Sequence, residues 1–140
     1  LREGFEGPQQ RWSDFTDHTP KAGWFAVLDG LSAEEASKPS GPNGTTIAAH
    51  VHPMVFSLSA SVDFIMDRWE GRDWSESWRV STVDEAQWRE LRDQLRAGYE
   101  ALLDAFRQRA RVDERSFGGA LAAVAHVAYH LGAVGQKLAG

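Results

Sequence analysis

The chain has 140 residues, a length that suits one domain. Hydrophobic residues make up 42% and charged residues 25%, enough for one packed core and too apolar for a disordered chain. There is no cysteine, which excludes disulfides, thiolate-held zinc, iron–sulfur clusters and a cysteine nucleophile, and a formal charge of -5 offers no basic surface for nucleic acid.

Residues 1–18 read as a polar lead-in with one or two short turns. No basic stretch runs into an apolar one there, so no secretory signal is expected. Thr19 then offers an N-cap and Pro20 a first helical position, where its missing N–H costs nothing. Trp24, Phe25, Leu28 and Leu31 follow at helical spacing, and Ser32 with Glu35 makes a capping box that restarts a short turn. Pro39, Pro42, Asn43 and Gly44 break the chain.

A nearly uncharged segment runs from about Thr45 to Met66, with Thr45 or Thr46 as its cap and Asp63 as its only acidic residue. Pro53 falls inside it and removes the hydrogen bond to residue 49, so a kink, or a helix start near Pro53, is expected. Residues 67–81 form a polar, aromatic connection without helical period. Its Trp69, Trp74 and Trp78 are read as core or lid packing, with the wall of a pocket mouth as the alternative.

Thr82 and Glu85 form a capping box for the clearest helix, in which Trp88, Leu91, Leu95, Leu102 and Phe106 recur at steps of three and four with charges between them. Its pattern predicts about 30 residues, ending around Val112. The last helix is expected from near Ser116, with Val124, Val127, Leu131, Val134 and Leu138 as its apolar stripe. Its uncharged stretch, 117–136, is long enough to span a membrane but contains four glycines, six alanines and two histidines. A helix buried inside a soluble, cytoplasmic protein is the expectation, with no membrane partner. These elements predict an all-α, single-domain chain, most economically a four-helix bundle.

Four of the five histidines lie on the two least charged helices. His126 and His130 are spaced i, i+4, so both imidazoles project from one helix face and can meet one metal ion. His50 is the natural third ligand, which would complete a three-ligand site with one open position. His50 shares a face with Ile47, Met54 and Ser57. His52 points about 200° away from it, alongside Val55 and Phe56. An unpartnered buried imidazole costs about 1–3 kcal/mol, so two on one face ask for a common explanation. The competing reading is that each ring hydrogen-bonds a carbonyl or a hydroxyl. His18, beside a helix start, is read as a solvated or capping residue. No His-Glu-x-x-His, Gly-x-Ser-x-Gly, phosphate-binding loop or dinucleotide fingerprint occurs, and no carboxylate lies between His126 and His130.

Two segments, TIAAHVHPMVFSLSASVDF (46–64) and AHVAYHLGAVGQKL (125–138), resemble the DinB-like superfamily, which includes the YfiT-type metal-dependent hydrolases. The second is similar to that family's His-x-x-x-His leading into Gly and Gln, the first to its helix with an early histidine. The order of elements fits over roughly residues 15–138. The resemblance implies a four-helix bundle of DinB/YfiT-like type and a divalent metal, Zn²⁺ or Ni²⁺, held by His50, His126 and His130. It also implies a homodimer acting on a small-molecule substrate, as a hydrolase or as an S-transferase using a low-molecular-weight thiol such as bacillithiol, mycothiol or glutathione. The alternative expectation is a non-catalytic dimeric helical bundle that binds a small apolar ligand or a partner protein.

Overall fold

The computed structural model describes every residue except 11, 14–18, 20, 110–112 and 140. The described residues fold into α1 (Arg2–Glu6), α2 (Trp24–Asp29), α3 (Ala33–Ser37), α4 (Ile47–Ile65), a 3-10 helix (Trp74–Trp78), α5 (Glu85–Gln108) and α6 (Glu114–Leu138), with no strand among them. The chain is all-α. The long helix α4 lies between α5 and α6, and the short helices close the remaining side: α1 meets α2 and α6, α2 meets α5, and α3 meets α4 and α5.

The lead-in does more than turn. Phe5 of α1 is fully buried and its ring stacks on Tyr99 of α5 at 4.6 Å between centroids, with Phe25 of α2 edge-on to Tyr99 at 5.5 Å. Tyr99 Oη donates to Glu6 at 2.6 Å; burial and that carboxylate push its phenol up to about 12. The helix expected from Thr19 starts later, with Gly23 at its N-cap; Pro20 and His18 lie outside the described residues. Gly23 holds this position because a Cβ there would sit 2.3 Å from the Gly7 nitrogen and 2.7 Å from the Phe5 carbonyl. Ser32 and Glu35 form the capping box of α3 as read from the sequence.

Thr46 caps α4, its hydroxyl accepting from the Ala49 N–H. The helix does not start near Pro53: α4 runs for 19 residues through it. A proline ring fixes φ near the helical value, so its penalty is confined to one lost hydrogen bond and a clash with residue 49. Packing of Val51, Met54 and Leu58, all at most 1% exposed, outweighs that penalty. The helix ends at Ile65, where Arg109 Nε donates to the Ile65 carbonyl at 2.6 Å and its guanidinium pairs with Asp67.

Two boundaries of the amphipathic helix differ from expectation. Asp84 and Gln87, not Thr82 and Glu85, form its capping box. Glu85 instead turns its carboxylate to the N–H of Ala33, capping α3 across the interface at 2.9 Å. The helix stops at Gln108, because Arg109 leaves the helical conformation to serve the end of α4; Val112 lies outside the described residues. Trp88, Leu91, Leu95 and Leu102 are buried as the period requires.

Asp113 and Ser116 cap α6, two residues ahead of the expected start. Its buried stripe is Ala123, Val127, His130 and Val134, while Leu138 is 47% exposed. The helix is therefore not enclosed. Among the described residues it is the one helix long and apolar enough to cross a membrane, by length and composition, and 22% of that window is buried. Phe117, Leu121 and Tyr129 stand on its open side.

Candidate functional site

Thr46 sets the first turn of α4, which buries Ile47 and His50 on the side facing α6 and leaves His52 on the opposite side. From α6 the stripe Ala123, Val127, His130 delivers His130 to the same place, 1% exposed, while His126 one turn earlier is half-buried. The Nδ1 atoms of His50 and His130 face each other at 3.1 Å. His126 packs against His130 with ring centroids 5.0 Å apart; the His50 and His130 centroids are 5.3 Å apart.

The structure thus brings His50 and His130 into direct contact and lays His126 beside them. No hydrogen bond to His126 is present among the described residues, and no group of three His, Cys, Asp or Glu there forms a ready metal site. The donor chemistry of the pair suits a metal. Two nitrogens each about 2.0–2.1 Å from one tetrahedral ion lie about 3.3 Å apart, close to the separation here. The same distance also suits one ring donating its Nδ1–H to the other's lone pair.

All three imidazoles are held in the neutral, ligating form. Burial first, and then the neighbouring His126 and His50, depress His130 to about 4. Burial also lowers His126. For His50 burial comes first and the Lys137 ammonium second. Lys137 is fixed by donating to the carbonyls of Ser40 at 2.8 Å and Thr45 at 2.7 Å, tying the end of α6 to the turn before α4.

Sequence reasoning missed the part His52 plays and gave Thr46 only its capping role. His52, set aside as the ring on the wrong face, donates from Nδ1 to the Ser77 carbonyl at 2.7 Å and anchors the 3-10 helix to α4. Thr46 extends the clamp, its hydroxyl donating to the Ser81 carbonyl at 2.6 Å. The i, i+2 spacing of His50 and His52 is the signal that one turn of α4 serves two sides. So anchored, the connection sets Trp78 against His50 and His130, at 6.1 and 5.7 Å between centroids, and Trp74 against His126 at 6.4 Å. Trp69, Trp74 and Trp78 are 37%, 44% and 50% exposed, so they roof the site rather than fill the core. An open cleft of about 260 Å³ continues from His126 between α4 and α6, walled by Phe64, Trp69 and Trp74.

No family model matches the chain, and neither a curated protein nor a solved structure matches it. The site must be read from its own geometry.

Proposed function

We propose that the chain is a divalent-metal-dependent enzyme of the DinB/YfiT-like four-helix-bundle type, a thiol-dependent S-transferase or a hydrolase acting on a small molecule. The observation that carries this reading is the buried His50–His130 pair, whose Nδ1 atoms face each other at 3.1 Å with no carboxylate to neutralise. His50 and His130 would hold the ion, with His126 as third ligand from the ring position beside them. A Zn²⁺ or Ni²⁺ ion there would supply Lewis acidity toward a water or thiol, undiminished by anionic ligands. The chain's own residues do the rest: Trp78 limits water above the pair, burial and then the Lys137 ammonium favour the unprotonated form of His50, and His126 adjoins the cleft through which a substrate enters. The apolar open side of α6 supports the homodimer in the same reading.

The expected outcome is about one equivalent of zinc or nickel by elemental analysis of tag-free protein, lost in His130→Ala and in His126→Ala. Metal at about a hundred times its Kd should add about 2.7 kcal/mol to unfolding stability, read as a rise in Tm. Metal-free protein whose Tm ignores both ions refutes the enzyme reading. It would leave the second reading, a non-catalytic bundle that binds a small apolar ligand, which the His50–His130 hydrogen bond and the aromatic cleft favour.

A further inference from the structure

The cleft beside His126 has features that the histidines do not explain. Two tryptophans of one connection, Trp69 and Trp74, line it and stand 37% and 44% exposed, and exposed aromatic clusters of this kind mark ligand sites. Phe64 and Trp69 meet edge-on at 6.5 Å at one end, and Trp74 stands at the other, braced by Phe56 at 5.1 Å. The floor is α6 at its least bulky point. A Cβ on Gly119 would press on the Phe64 ring at 3.1 Å, whereas a Cβ on Gly118 would meet nothing within 4 Å, so Gly118 borders open space.

Charge is absent from the lining. Among the described residues its polar side chains are Ser57, Ser61, His126 and the indoles of Trp69 and Trp74, and no Lys, Arg, Asp or Glu contributes. Arg72 and Arg68, cations on the same side of α4, are both committed to Asp63, and Arg72 also reaches the Ser59 hydroxyl with its guanidinium over the Phe56 ring. Among the described residues no lining side chain offers a carboxylate, phosphate or ammonium a counter-ion in exchange for the water it would lose, which disfavours an ionised ligand group. The volume, about 260 Å³, falls just under the range of roughly 300–1,000 Å³ typical of whole small-molecule sites, so it suits part of a ligand.

We propose that this cleft is the subsite for the uncharged, planar apolar portion of the substrate, sandwiched among Phe64, Trp69 and Trp74 with its other end directed at His126. As a statement about substrate it rests on the metal-dependent reading; as a statement about selectivity it stands on the cleft alone.

The test uses N-phenyl-1-naphthylamine, an uncharged fluorescent probe, and its anionic relative 1-anilinonaphthalene-8-sulfonate. The expected result is saturable, one-site binding of the neutral probe with energy transfer from tryptophan, and binding of the sulfonate at least tenfold weaker. Gly118→Leu, which fills the cleft and favours the helix, should weaken the neutral probe at least tenfold with helix content unchanged. Ser61→Phe does the same from the α4 side and serves if Gly118→Leu does not fold. His130→Ala should lose metal and keep the probe. Equal affinity for both probes, no saturable binding, or binding indifferent to both filling variants overturns the assignment. A wild-type protein that takes up no metal but binds the neutral probe in this pattern removes the metal-dependent reading and supports the apolar subsite.

Discussion

At His130 the burial that hides a ring from water also decides its charge. The folded protein holds its pKa at about 4, below the ordinary 6.5, so between these values the unfolded chain binds the additional proton. Stability contributed by this residue is therefore complete above about pH 6.5 and is lost as pH falls toward 4, by on the order of 3 kcal/mol. Urea unfolding of metal-free protein at pH 7 and pH 4 should show that loss, and His130→Leu should flatten it. The i, i+4 pair His126 and His130 was legible from spacing alone, and so was the buried face of His50 with Ile47 and Met54. The role of His52 was not. Its partner is a backbone carbonyl 25 residues away, and no periodicity encodes such a contact.

Each helix end is settled by whichever polar group reaches it first. Glu85 was positioned by spacing to cap its own helix, yet it caps α3, because Asp84 and Gln87 close the α5 start two residues later than expected. Arg109 ends α5 and caps α4 in the same way. Such choices depend on neighbours remote in sequence, which is why boundaries drift while helix identity does not. The α1–α2 approach is the tightest of these dependences. Gly23→Ala sets a Cβ against fixed backbone, and we expect a loss of about 2 kcal/mol or more in chemical denaturation. His52→Ala should cost about 1 kcal/mol globally. It should also raise amide exchange selectively over Trp74–Trp78, since only that segment loses its anchor.

Over the whole molecule, α4 is the element to which everything else is referred: it is packed on both sides, it carries His50 and His52, and it bounds the cleft. The helix α6 keeps one side open, with Phe117, Leu121 and Tyr129 60–66% exposed. In the proposed homodimer that face is covered, so sedimentation should report a dimer for the wild type and a monomer for Leu121→Glu. The sequence by itself determined the all-α class, the three long helices, the capping of α3 and the candidacy of His50, His126 and His130, because hydrophobic period and cap chemistry act over a few residues. Only the tertiary structure decided that α4 continues through Pro53, that Phe5 joins the core, that α6 stays half open, and that His50 meets His130 while His126 lies alongside. Those outcomes follow from how whole helices pack, and packing sums many small contacts between residues far apart in the chain.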